Sequence, residues 1–150
     1  MTAEPTDTAI YPERRYAALY AQAQHFYTRH MRILDTHDTE RWADTFTEDA
    51  VLELPGRPGP GPARAQLHRY ARAGAQRHRR AGGRLDHFVG RLDVWPRPDG
   101  SLHTRCSALA YVATPGVRHV LAVCVMEDVL VRAGGRWRIA HRRVTRDDLV

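Results

Sequence analysis

The chain has 150 residues, 43% of them hydrophobic, which suits one globular domain able to bury a core and still enclose a ligand cavity. Its 23 basic residues against 17 acidic ones give a formal charge of +6, but all 23 are arginines spread along the chain, and no aromatic–basic interleaving of the single-strand-binding kind occurs, so nucleic acid is not the expected partner. The longest apolar run, Val120 to Met126, falls far short of a membrane span, and the acidic start Met1–Asp7 lacks the basic and apolar regions of a secretory signal, which points to a cytoplasmic protein.

Neither lysine nor asparagine occurs. Both have A-rich codons, so the arginine excess reads as the mark of a GC-rich genome and not as selection for phosphate contacts. The densest basic patch, Arg77-His78-Arg79-Arg80, reads as a solvated helix face.

Residues 1–10 are expected to form a flexible tail before a single domain over 11–150. Pro12 suits the first turn of a helix. Tyr16, Leu19, Tyr20, Ala23, Phe26, Tyr27, His30 and Leu34 then recur at helical spacing as far as Asp35. Asp38 or Thr39 can cap a second, short helix with Trp42 and Phe46 on one face. Ala50–Leu54 reads as a short strand. The prolines of Pro55–Pro62 exclude helix and inner strand and predict a surface loop. A third helix is expected from about Ala63 to Arg80, with Leu67, Tyr70, Ala71 and Gly74 inward.

From Arg84 onward the pattern is that of strands. Turn signals at Pro96–Gly100, Thr114–Gly116 and Ala133–Gly135 delimit four long strands that pair antiparallel. The result is an α+β domain: three N-terminal helices packed on a strongly curved, mostly antiparallel sheet, a cone whose open mouth suits a small molecule.

Two distant segments suggest chemistry. Asp35 ends the first helix, and His87 sits inside the apolar strand segment Leu85-Asp86-His87-Phe88-Val89-Gly90. An Asp and a His that meet in an apolar pocket make a general acid–base pair, because His titrates at a pKa of about 6.5. Taken alone, His87 also fits a satisfied core histidine, and Asp35 a helix-end or capping residue. Together, the carboxylate would fix the ring tautomer and stabilise the imidazolium.

Further candidates for the pocket are Tyr27 and His30 on the first helix, Trp42 as a wall residue, and Cys124. His103 and Arg105 share one strand face, His119 lies early on the next strand, and Arg142 could hold an anion. Cys106 and Cys124 do not form a CxxC motif and read as reduced, small apolar strand residues. There is no HExxH, HxH or cysteine cluster, no phosphate-binding glycine loop and no serine elbow, so no metal and no cofactor are expected.

These residues resemble the SnoaL-like and scytalone dehydratase-like enzymes of the nuclear transport factor 2-like superfamily. The resemblance spans roughly residues 12–146. It is carried by Asp35…Asp38…Trp42…Phe46…Asp49-Ala50, by His87-Phe88-Val89-Gly90, and by the closing Gly135-Arg136-Trp137-Arg138-Ile139. The last segment speaks only to fold, whereas the second matches the strand that bears the catalytic histidine of scytalone dehydratase. The resemblance implies a cone with a bent sheet, His87 and Asp35 as catalytic residues, and a homo-oligomer, dimer or trimer.

The chain departs from scytalone dehydratase at four places. Leu34 and Leu54 stand where that enzyme has two water-holding tyrosines, Leu109 near its second histidine, and Cys124 near a serine. What the resemblance implies is therefore a related cofactor-independent dehydration or cyclisation of another aromatic polyketide intermediate, and the lysine- and asparagine-free composition suits an actinomycete antibiotic pathway. Non-catalytic members, like the small subunits of ring-hydroxylating dioxygenases, supply the alternative.

Overall fold

Helical periodicity becomes helix α1 (Glu13–Asp35). The computed structural model describes residues 13–55, 61–82 and 84–146, so the expected tail, Pro12 and most of the proline-rich loop lie outside the described residues. One face of α1 is buried, through Ala23, Tyr27, His30, Met31, Ile33 and Leu34. The helix stops at Asp35 because the backbone of His37 turns left-handed, with φ 62°. Asp38 then caps α2 (Thr39–Ala43) by accepting from the Arg41 N–H at 3.2 Å.

Helix α2 is too short to include Phe46, contrary to expectation. Phe46 instead opens β1 (Phe46–Glu53), several residues earlier than the sequence suggests, although its ring still meets that of Trp42 at 5.2 Å. The end of the proline segment forms a two-residue strand, β2 (Gly61–Pro62), on the outer edge of the sheet, where a missing N–H is tolerated. Helix α3 (Ala63–Ala81) follows, with Leu67 and Ala71 buried. The three helices are thus not all N-terminal to the sheet: two precede β1 and the third lies between β2 and β3.

The four long strands are β3 (Arg84–Pro96), β4 (Leu102–Thr114), β5 (Val117–Ala133) and β6 (Arg136–Arg146). The sheet order is β2-β1-β6-β5-β4-β3. All neighbours are antiparallel except β1 and β6, which run parallel and set Phe46 opposite Ile139 and Leu52 opposite Arg142. The sheet is therefore open, curved and mixed.

Register fixes which side chains face the helices. On β4 the even-numbered Leu102, Thr104, Cys106 and Ala108 point inward; on β5, Met126, Asp128 and Leu130 do so. Breaks in pairing between Gly90 and Asp93, Ala110 and Tyr111, and Val129 and Leu130 bend the strands. At the first of these Arg91 adopts φ 53°, and the inward set changes from Leu85 to Val94. Leu130 and Ile139 are fully buried, each contributing roughly 1.5–3 kcal/mol of hydrophobic stabilisation. No described helix is long and apolar enough to cross a membrane.

Candidate active site

The end of α1 lies against β3, and this brings the two suspected residues together. One carboxylate oxygen of Asp35 (Oδ2) accepts the backbone N–H of His87 at 3.0 Å, and the other (Oδ1) lies 2.6 Å from His87 Nδ1. Both side chains are largely buried. A carboxylate only accepts, so Nδ1 carries the ring proton and donates it. Nε2 is the nitrogen left available, and as an unprotonated imidazole nitrogen it can act as a base.

His87 borders three spaces: one of about 480 Å³ between α1 and β3, which Tyr27, Met31, Asp35 and Arg91 also line, and two that adjoin each other. The outer one, about 250 Å³, is lined by Leu34, Asp35, Leu54, Tyr70, Leu85, His87, Ala108, Ala110, Leu121, Cys124, Val144 and their neighbours. The inner one, about 40 Å³, lies among Met31, Trp42, Phe46, Leu52, Leu67, His87, Cys124, Met126 and Arg142. It has room for a water-sized group. Ala108 and Ala110, not Leu109, face the outer cavity, and their small side chains leave that space open.

Next to the inner space lies a buried polar network. Arg142 grips Asp128 with two parallel bonds, Nε to Oδ1 at 2.8 Å and Nη2 to Oδ2 at 2.9 Å. The Tyr27 hydroxyl donates to Asp128 Oδ2 at 2.5 Å, so at its 2.5 Å contact with Thr104 Oγ1 it accepts. Arg142 Nη1 lies 2.9 Å from His30 Nε2, and an arginine only donates. The Nδ1 of His30 therefore bears the proton and donates to Thr45 Oγ1 at 2.8 Å, and that hydroxyl donates to the Trp42 carbonyl at 2.6 Å.

Burial, then the Arg142 cation and His87, hold the His30 pKa well below its usual range. Burial and the Asp128 carboxylate push the Tyr27 hydroxyl well above its own. Burial disfavours the charged form of Arg142, but Asp128 more than offsets this and raises its pKa. Burial also pushes the Cys106 thiol up to about 12, leaving it an inert small apolar group.

The His30 shift has a signed consequence. The unfolded chain protonates this histidine below a pH of about 6.5, whereas the folded chain keeps it neutral. Stability from His30 is therefore present above that pH and lost as pH falls below it, by at most about 1.4 kcal/mol per pH unit. A His30→Gln variant, able to keep both hydrogen bonds, is expected to show a flatter fall in thermal midpoint between neutral and mildly acidic buffer. Parallel curves for the two proteins would contradict this.

The remaining candidates are divided by strand parity and burial. Trp42, Cys124 and Arg142 line the cavity. His30 is buried in the network behind the outer and inner spaces and is absent from their walls, whereas Tyr27, also part of that network, lines the space that Asp35 and His87 share between α1 and β3. His103 and Arg105 are odd-numbered on β4 and lie on the face opposite Thr104 and Cys106, with Arg105 exposed opposite Asp93 and Glu127. His119 is exposed near the tip of the β4–β5 hairpin and borders neither space. None of these three is brought to His87.

Asp128, Thr104 and Thr45 escape a reading of the sequence alone. The alternation Met126, Asp128, Leu130 is the available signal for Asp128: a carboxylate in an apolar stripe needs a buried partner. Among the described residues no group of three or more His, Cys, Asp or Glu side chains gathers as a metal site.

The profile of a family described as a SnoaL-like domain matches residues 15–143. None of the curated proteins matches the chain. Among solved structures, Aln2 from a Streptomyces species is 32% identical with a TM-score of 0.77, over 88% of this chain and 93% of that one. A protein from Catenulispora acidiphila, solved in complex with S-DNPA, is 32% identical with a TM-score of 0.73, over 89% and 96%. ActVI-ORFA from Streptomyces coelicolor is 28% identical with a TM-score of 0.73, over 87% and 98%.

Proposed function

The chain belongs to the SnoaL-like domain family, and on that premise we propose that it is a cofactor-independent dehydratase or cyclase acting on an aromatic polyketide intermediate. The observation that carries the reading is the 2.6 Å contact of Asp35 with His87 Nδ1 at the wall of a mainly apolar cavity.

His87 Nε2 removes a proton from the carbon next to a ketone. The C–H electron pair becomes the enolate double bond, and Asp35 stabilises the imidazolium that forms. In dehydration, His87 then returns the proton to the β-hydroxyl as its C–O bond breaks, and water leaves. In cyclisation, the enolate carbon attacks a second carbonyl of the same chain, and the new alkoxide takes the proton. A positioned group of this kind contributes roughly 10²–10⁴-fold, and the apolar walls add orientation of the reacting chain.

The S-DNPA complex of a relative supports a small-molecule ligand. The Streptomyces and Catenulispora relatives, with the lysine- and asparagine-free composition, support an actinomycete antibiotic setting. The apolar Leu34 and Leu54 in the cavity wall favour a second reading, a ligand-binding subunit without catalysis. Incubation with a β-hydroxyketone polyketide in deuterated water separates the two. The enzyme is expected to place deuterium beside the ketone and release dehydrated or ring-closed product, and His87→Ala is expected to do neither. Tight binding without exchange by the wild type would sink the catalytic reading and leave the second.

A further inference from the structure

We propose that Arg142 and Trp42 form an oxyanion site at the inner end of the cavity, so that the substrate is a cyclic or aryl ketone bound carbonyl first. The inference rests on the acid–base reading of His87 and supplies the electrophile which that reading lacks.

Arg142 and Trp42 border the inner space together with His87. Arg142 is 4% exposed and Trp42 3% exposed. A guanidinium has five N–H groups. Asp128 takes two of them and His30 one, which leaves two without a protein partner among the described residues. The Trp42 indole N–H is buried and likewise without a protein partner among the described residues. Buried donors in this state are uncommon in folded proteins and call for an explanation.

Both groups are also held in place. The indole is stacked between His30, at 5.4 Å and 26°, and Tyr70, at 5.8 Å and 18°. The guanidinium is clamped by Asp128 and lies over the Phe46 ring at 5.3 Å. Donors fixed beforehand in a water-poor site stabilise charge that develops during a reaction without reorganising. Asp128 balances the arginine, so a neutral ketone is not disfavoured in the ground state.

The electron count closes on these residues. As His87 takes the α-proton, the carbonyl π pair moves onto oxygen, and that oxygen receives the Arg142 and Trp42 N–H groups. The inner space accommodates an oxygen atom, while the rings rest in the outer space against Leu34, Leu54 and Val144.

2-Naphthol tests the site, because it is neutral in water at neutral pH and its anion absorbs at longer wavelength. It is expected to bind as the naphtholate in the wild type and in His87→Gln. In Trp42→Phe, which keeps a stacked ring and loses the donor, its apparent pKa is expected to rise by about one unit, a tenfold loss of anion preference. The ¹⁵N–¹H signal of the Trp42 indole is expected to move downfield when naphthol is added to the wild type. Naphthol bound as the neutral phenol, or an unmoved indole signal with equal ionisation in Trp42→Phe, overturns the proposal. Full turnover in His87→Gln with naphtholate still formed would count against the base and leave the oxyanion site standing.

Discussion

Replacing Asp35 by asparagine is expected to lower turnover by about 10²–10⁴-fold while the protein stays folded. The geometry explains why so small a change costs so much. Asp35 accepts two hydrogen bonds, one from the His87 backbone and one from its ring. Asparagine has one acceptor oxygen and one amide donor. If the oxygen keeps the backbone N–H, the amide must donate to Nδ1. The ring proton then moves to Nε2, and the nitrogen facing the cavity can no longer take a proton. Steady-state turnover, with circular dichroism to confirm the fold, checks this. Undiminished turnover in Asp35→Asn would show that the pair is structural only.

The second large effect is on stability. Arg142→Met is expected to destabilise the fold by about 3–5 kcal/mol, because Asp128 is left as a buried charge with no counterion. For a chain of this length that lowers the thermal midpoint by about 2–4 °C per kcal/mol. The two side chains are 5% and 0% exposed, so water cannot take the arginine's place. The double variant Arg142→Met/Asp128→Leu removes both charges and is expected to recover most of the loss, as apolar replacements of buried ion pairs commonly do. Equal melting of the single and double variants would mean that Asp128 finds other partners. Because Arg142 is also a proposed oxyanion donor, the double variant is expected to be stable yet inactive, which separates its two roles.

Much of this molecule was legible in its residues. The long periodic run into Asp35, the turn signals between strands and the apolar setting of His87 are local patterns, and helix ends and hairpins are set locally. The Asp35–His87 contact was legible because each residue stands out against its neighbours and because the family resemblance paired them. Asp128 did not stand out beside Glu127, since an acid in a strand equally fits an exposed ladder position; only the register that places Arg142 opposite it gives it a partner. The choice among His103, Arg105 and Arg142 turned on strand parity and on bulges, which shift parity by one residue. The parallel pairing of β1 with β6 joins segments far apart in the described chain, and no local signal announces a contact of that span. Phe46 was misplaced because i, i+4 spacing suits a helix as well as a turn that folds one ring back onto another.

That parallel pairing also orders events in time. Chains emerge from the ribosome N-terminus first. The β3–β4 and β4–β5 hairpins can assemble by short-range contacts, and such contacts form early, whereas the Asp35–His87 contact must close across 52 positions. Strand β6 must then slot between two neighbours that are already made, and it alone carries Arg142. Asp128 thus waits uncompensated until β6 arrives.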